Sequence, residues 1–133
     1  MTDDVEYPTA DEIHVMHGRI VASDANTEQG ERTPAAVESA LTYISEGYFG
    51  RRPGTVHEKA AHLMRLIASE HPYVDGNKRT ALAAAAYLYD LNGYDLDVDD
   101  QIREHLRAFA SDADSADVDA VVDYLRDRAT EKQ

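Results

Sequence analysis

The chain has 133 residues, no cysteine and a formal net charge of -13, from 13 Lys and Arg against 26 Asp and Glu. That length makes one domain, residues 1–133, with a core large enough to fold alone. The lack of cysteine excludes disulfides and thiolate chemistry, and the charge argues against a nucleic-acid-binding face, which needs a basic patch.

Only three lysines occur, Lys59, Lys78 and Lys132. An acidic, lysine-poor surface of this kind reads as adaptation to high salt, where self-repulsion is screened, and points to a halophilic, haloarchaeal source. No signal-peptide pattern is present, and the longest apolar run, residues 81–89, is about half of the ~20 residues needed to cross a bilayer. A cytoplasmic location is the expectation.

In chain order, residues 1–6 form an acidic, frayed end. Thr9 and Glu12 make a capping box for a first helix with Ile13, Met16, His17 and Ile20 on its inner face. Residues 23–32 read as a polar loop containing Gly30. Thr33 as N-cap with Pro34 after it starts a second helix, with Val37, Ala40, Leu41 and Ile44 inward. A connection follows at 47–54, with Arg51 and Arg52 prominent against the acidic background. Thr55 and Glu58 form another capping box for a third helix, marked by Val56, Ala60, Leu63, Met64 and Ile67 and ending at Glu70.

After an interruption at 71–76, the alanine-rich run to Leu91 is helical again, with side chains small enough for close packing by its neighbours, and Gly93 ends it. Asp99 or Asp100 caps a fifth helix with Ile102, Leu106 and Phe109 inward. Ser115 caps a sixth with Val118, Val121, Val122 and Leu125. Residues 94–98 are the one place for a brief extended segment, and 129–133 are a second frayed end. The pattern predicts an all-α fold of six helices.

The interruption carries the chemistry. Residues 71–80 read His-Pro-Tyr-Val-Asp-Gly-Asn-Lys-Arg-Thr. Pro72 disfavours helix at His71, and Gly76 allows the backbone to turn sharply and approach a ligand. Asn77 sits where an N-cap belongs. A helix beginning there offers unpaired N–H groups and the positive end of its dipole to an anion, and Lys78 and Arg79 add full charges. Asp75 would repel a phosphate unless a divalent cation lay between them, which suits Mg²⁺. His71 is the natural proton acceptor, because imidazole changes charge near neutral pH. Base, metal carboxylate and an anion cradle of Gly76, Asn77, Lys78 and Arg79 spell phosphoryl or nucleotidyl transfer. His71 and Asp75 could alone be a metal pair, but Lys78 and Arg79 would then set cations against that metal.

This stretch, continued to Ala81, resembles the signature of the Fic/Doc superfamily, and specifically of its Doc ("death on curing") branch, in which Asn-Lys-Arg replaces Asn-Gly-Arg. The resemblance extends over residues 7–128: residues 10–17 resemble the family's opening helix, 34–41 its second, Glu58 to Ala61 the helix leading to the motif, and 92–96 the turn after it. It implies a compact six-helix Fic/Doc (Fido) fold with the active-site loop between two central helices.

Two positions depart from the pattern. Tyr73 stands where the family usually has Phe, which keeps the ring and adds a hydroxyl needing a partner. Leu82 stands where AMP-transferring Fic proteins carry a second Arg, and an apolar side chain cannot hold a terminal phosphate. The resemblance therefore implies a Doc-like toxin that moves the terminal phosphate of ATP or another nucleoside triphosphate, with Mg²⁺, onto a hydroxyl of a target protein, a translation elongation factor, causing growth arrest. It implies a cognate antitoxin too. AMP transfer, a catalytically idle antitoxin-binding module and a regulator without nucleotide chemistry are the alternatives.

Other residues read more plainly. His14 and His17 share a helix face but lack a third ligand in sequence, and the resemblance makes His17 a structural partner. His57 and His62 face different ways, and solvent is expected for both. The 47–54 connection resembles the flap on which a protein substrate docks, with a solvated turn as the other reading. Residues 42–47 fit the short Thr-x-x-x-Glu-Gly pattern of an inhibitory helix, but Glu46 would need the Arg that Leu82 replaces, so the match is taken as chance.

Overall fold

The first helix, α1 (Ala10–Ala22), opens on a complete capping box: Thr9 Oγ1 accepts the Glu12 N–H at 3.1 Å while Glu12 Oε1 accepts the Thr9 N–H at 3.0 Å. Five helices follow in the computed structural model, which describes residues 4–48, 50–111 and 116–133. They are α2 (Ala35–Ser45), α3 (Val56–Glu70), α4 (Asn77–Leu91), α5 (Gln101–Ser111) and α6 (Val118–Arg128). The six-helix, all-α expectation holds.

Helix α3 is the hub, packed on α2, α4, α5 and α6, while α4 touches α1, α3 and α5. Both carry fully buried alanines, Ala60, Ala61 and Ala68 on α3 and Ala81, Ala84 and Ala85 on α4. Small side chains let helix axes approach closely, so this pair makes a tight spine. Around it Ile13, Ile44, Leu63, Met64, Ile67, Leu88, Phe109 and Leu125 are removed from water, each worth about 1.5–3 kcal/mol. Truncating Leu63 to Ala would cost about 2–5 kcal/mol. Lys59 is also buried, its Nζ donating to the Ile44 carbonyl at 2.6 Å at the C-terminal end of α2 and lying 5.3 Å from the centre of the Tyr7 ring. A cation there complements the negative end of that helix.

Several local expectations are corrected. Pro34 already has helical dihedrals and α2 has no side-chain cap, while Thr33 gives its N–H to Pro72 O at 2.9 Å. Thr55 caps α3, but the reciprocal bond is missing, and its hydroxyl donates to Glu58 Oε1 at 3.1 Å. The cap of α6 is Asp117, accepting from Ala120 N–H at 3.1 Å; the expected cap Ser115 lies outside the described residues. Asp99 is the residue that accepts from the Gln101 N–H at the start of α5.

The end expected to fray at 129–133 is fastened. Strand β1 (Tyr94–Leu96) pairs antiparallel with β2 (Ala129–Glu131), in the register Tyr94 with Glu131, Asp95 with Thr130 and Leu96 with Ala129. Lys132 then gives its N–H to Gly93 O at 2.8 Å and its ammonium to Asp90. At the other end, Glu6 exchanges two bonds with the Asn92 amide, so residue 6 is tied down as well.

Neither His57 nor His62 is simply solvated. His57 Nδ1 meets the Tyr89 hydroxyl at 2.9 Å, and His62 Nδ1 accepts from the Arg65 guanidinium one turn on, at 3.1 Å to Nη2. The helical faces were read correctly, but tyrosine and arginine reach across to cover them.

Candidate active site

Helix α3 ends because Pro72 bars its last turn from continuing. His71 takes the left-handed conformation, φ 50° and ψ 60°, and no other non-glycine residue among those described has a positive φ. That conformation costs an L-residue roughly 1–2 kcal/mol, so the surroundings must enforce it. They turn the imidazole toward α5, where Nε2 meets Ala110 O at 3.3 Å. A carbonyl only accepts, so Nε2 carries the hydrogen of that bond, and in the neutral ring Nδ1 is the nitrogen that can accept.

The loop from His71 to Gly76 is braced from inside. Asn77 is 9% exposed, and its amide faces back along the loop: Oδ1 accepts the Tyr73 N–H at 3.0 Å and Nδ2 donates to Tyr73 O at 2.9 Å. This corrects the expected capping role. Gly76, at φ 79°, is the cap, Asn77 is the first helical residue, and its side chain braces the loop. The Tyr73 ring is buried and stacks on His17, with centroids 3.6 Å apart. Its hydroxyl has the partner it needs in His14 Nδ1, at 2.8 Å. Burial, with Glu31 as the smaller cause, pushes the phenol well above its ordinary range, so it stays protonated. His17 Nε2 holds the Asp75 carbonyl at 2.8 Å. The two histidines of α1 are thus structural supports of the loop.

A second support was not foreseen. The segment 24–33, which takes in most of the polar loop expected at 23–32 and the expected helix cap Thr33, lies along the motif and is stitched to it. Arg32 and Thr33 both donate to Pro72 O, at 2.8 and 2.9 Å, Val74 donates to Gly30 O at 3.1 Å, and Glu28 N–H reaches Asp75 Oδ2 at 3.2 Å. Most of these partners are backbone groups, which leave no residue-type signature. The one usable signal was Asp24 with Asn26 and Thr27, a turn-forming set whose Asp24 Oδ1 accepts the Asn26 N–H at 2.9 Å.

What remains is a cleft of about 360 Å³ lined by His71, Asp75, Gly76, Lys78 and Arg79 together with Val74, Asn77 and Ala110. Every residue assigned to the site from sequence borders it. At its base α4 begins, and the N–H groups of Asn77, Lys78 and Arg79 precede the first bond of the helix, from Thr80 N–H to Gly76 O. These are the donors a helix N-terminus offers an anion. Lys78 is exposed. The Arg79 guanidinium is held by Asp24 at 3.3 Å and Thr27 at 2.5 Å, which leaves further N–H groups available. The Asn26 N–H, then Thr27, then Arg79 hold the Asp24 carboxyl below its usual range, so it stays ionised.

Asp75 presents both oxygens at the cleft edge, one accepting the Gly76 N–H at 2.8 Å and the other that of Glu28. Each retains a lone pair. Mg²⁺ is ordinarily held by one or two carboxylates with water and substrate phosphates completing its shell, and this lone carboxylate beside an anion site fits that habit. Among the described residues no group of three or more His, Asp or Glu side chains gathers as an all-protein metal site. Glu46 does not line the cleft. Nor does any described residue of 47–54, where Tyr48 and Arg51 form a minimal hairpin and Tyr48 instead lines a groove between α2 and α3. In that hairpin Gly47 has φ 77°, and a Cβ there would lie 2.0 Å from Arg51 O.

A sequence model of the Fic/DOC family matches residues 7–89, from α1 through nearly all of α4. The chain belongs to the Fic/DOC family. The match takes in both central helices, the loop between them and the two histidines that support it. A curated protein named Toxin Doc, from Mycolicibacterium smegmatis (strain ATCC 700084 / mc(2)155), is 50% identical over 42 residues, which is 32% of this chain and 32% of that protein. The aligned segment thus spans about a third of the relative's length. No helix among the described residues of this Fic/DOC chain is long and apolar enough to cross a membrane.

Proposed function

We propose that this protein is a Doc-type phosphotransferase, moving the terminal phosphate of a nucleoside triphosphate to a hydroxyl of a target protein. The observation that carries the reading is the cleft itself, which His71 lines together with the start of a helix, Lys78, Arg79 and the Asp75 carboxylate. The short likeness to a toxin named Doc supports it.

In this reading the N–H groups at the start of α4, with Lys78 and Arg79, hold the terminal phosphate. His71 Nδ1 takes the proton of the acceptor hydroxyl while its oxygen bonds to phosphorus. The bond from phosphorus to the bridging oxygen breaks, and the nucleoside diphosphate leaves. Asp75 would hold Mg²⁺, whose charge offsets that of the phosphates. Ala110 keeps the imidazole in the tautomer that can accept a proton at Nδ1.

Leu82 separates this reading from AMP transfer. It lies one turn beyond the cleft and does not line it, so no second cation anchors the far end of a triphosphate whose alpha phosphate sat in the cradle. A nucleotide bound in the reverse sense, terminal phosphate first, needs no such anchor. Label from ATP carrying it at the terminal phosphate should pass to a protein of a cell extract, and label at the alpha phosphate should not. Alpha label on the target would reverse the assignment in favour of AMP transfer. His71→Ala should abolish the labelling while nucleotide binding stays within a few-fold. The target is proposed to be a translation elongation factor, and a cognate antitoxin to restrain the enzyme, so co-purification with the product of a neighbouring reading frame tests the partner.

A further inference from the structure

The two cations that border the cleft are held differently. Lys78 is exposed, a point charge on a flexible stem. The Arg79 guanidinium is fixed at two nitrogens, Nη1 lying 3.3 Å from Asp24 Oδ2 and Nη2 2.5 Å from Thr27 Oγ1. The Thr27 hydroxyl in turn donates to Asp24 Oδ2 at 2.9 Å, so carboxylate, hydroxyl and guanidinium close a ring of hydrogen bonds. A planar group held at two points cannot swing freely about its long side chain, and its remaining N–H groups suffice for a bidentate grip on an anion. The ring adds little to stability, because the Arg79 and Asp24 side chains are 46% and 40% exposed and ion pairs at such exposure are weak. The turn that carries it also reaches across the cleft. Asp24 Oδ1 shapes that turn by accepting the Asn26 N–H, and the Glu28 N–H binds Asp75 Oδ2 at 3.2 Å. Residues 24–28 therefore span the gap between Arg79 and Asp75, the cation and the carboxylate of the cleft.

Resting on the phosphate reading of the cleft, we propose that Asp24 and Thr27 are positioning residues, which preorganise Arg79 to grip a phosphate of the bound nucleotide. Neither residue borders the cleft, so both act through the guanidinium. A free arginine gives up rotamers when it binds its ligand, whereas here that ordering is done on folding. The division of labour between the two partners also has a reason. Two carboxylates on Arg79 would compete with phosphate for it, but a neutral hydroxyl at one of the two points leaves more of the positive charge uncompensated. The bond to that hydroxyl also persists in salt, where the attraction of the exposed Asp24 is screened.

The test is calorimetric titration of the full chain, with Mg²⁺ present, using inorganic tripolyphosphate and ATP. Thr27→Val keeps the shape and removes the hydroxyl, and it should weaken both ligands about three- to tenfold, the range for freeing one arginine. Thr27→Ser restores the hydroxyl and should recover binding to within about twofold of the parent. Made in an Arg79→Ala background, Thr27→Val should change affinity by less than about twofold, because the group through which it acts is gone. A merely structural role would weaken binding equally in both backgrounds. Should Thr27→Val fail to fold by circular dichroism, Asp24→Ala takes its place in the same cycle.

The outcomes separate the two readings. A loss of affinity that needs Arg79 to be present, and that Thr27→Ser repairs, supports the proposal. If Arg79→Ala weakens tripolyphosphate but Thr27→Val does not, the positioning role is overturned and the phosphate cleft stands. Equal losses with and without Arg79 overturn it as well. Tighter binding by Thr27→Val or Asp24→Ala would mean that the turn competes with phosphate for the guanidinium, which also overturns it. If Arg79→Ala binds both ligands as the parent does, Arg79 leaves the anion cradle and its positioning falls with it. If the parent chain binds neither tripolyphosphate nor ATP, the phosphate reading itself is what fails, and the proposal fails with it.

Discussion

The loop 71–77 and the C-terminal edge at 90–96 and 129–132 are both short segments fastened to their neighbours, but different physics fastens them. The loop is held by uncharged bonds drawn out of water: the Asn77 amide on both polar groups of Tyr73, His17 on the Asp75 carbonyl, and two N–H groups on Pro72 O. The edge has a three-residue ladder and one lysine shared by Asp90 and Asp95, with side chains 40–74% exposed. Buried amide bonds do not weaken as salt rises, whereas exposed ion pairs are screened over about 3 Å at 1 M salt. In this acidic chain, the geometry of the candidate site rests on the first kind, and the charge pairs stand where their loss matters least.

The largest effect should follow from Asn77→Ala. It leaves the Tyr73 N–H and C=O buried without partners, at about 1–3 kcal/mol each, so stability should fall by roughly 2–6 kcal/mol. Thermal unfolding should show a drop on the order of 10 °C, equally at low and high salt. If the loss is small, or shrinks as salt is added, the contrast between the two regions is broken.

That brace shows what the sequence could and could not tell. The helices were legible because periodic apolar positions such as Leu63, Met64 and Ile67 report one face directly. The candidate site was legible because His71, Asp75, Lys78 and Arg79 are chemically unusual in one short stretch. Asn77 was misread because its residue type fits both a cap and a brace; the choice depended on Gly76 taking the left-handed turn first. The wall formed by 24–33 was invisible, since it binds the motif mainly through peptide groups that every residue has. The fastening at 129–132 was missed because a three-residue strand shows no period, and only Lys132 hints at it.

Acid should strike the two regions unequally. Burial, and next the Arg126 charge, lower the pKa of His57, which packs against Tyr89 and Tyr94 at the start of β1. Burial, and next Arg65, lower that of His62. A histidine whose folded pKa lies below its unfolded value of 6.5 is neutral in both states above that pH and contributes no loss there. As pH falls below 6.5 the unfolded chain takes up protons first, so stability declines until the folded histidines are charged as well. The unfolding temperature should therefore drop between pH 7 and pH 5. His57→Gln with His62→Gln should flatten that drop, and an unchanged slope would remove both histidines from the account.

A smaller effect is expected within the loop from Tyr73→Phe. The ring stack on His17 survives and only the part-buried bond to His14 is lost. Stability should change by about 1 kcal/mol or less, and phosphate transfer should persist. A loss comparable to that of Asn77→Ala would mean that the hydroxyl, and not the amide, is the brace.

The smallest effect belongs to Lys132→Ala. Asp90 and Asp95 lose their shared cation, but both are exposed and water takes its place, so the unfolding temperature should fall only slightly at low salt. At about 1 M salt the variant and its parent should unfold together, because screening has already removed the attraction. The hydrogen bond to Asp90, then the charges of Asp90 and Asp95, raise the lysine pKa above 10.5. The stabilisation is thus fully present below 10.5 and is lost as pH rises through the folded pKa. The parent's advantage should fade again in strong alkali at low salt. If the difference instead survives both high salt and alkaline pH, Lys132 acts through its alkyl chain and the β1–β2 ladder, and the edge is held by packing as the loop is held by buried amides.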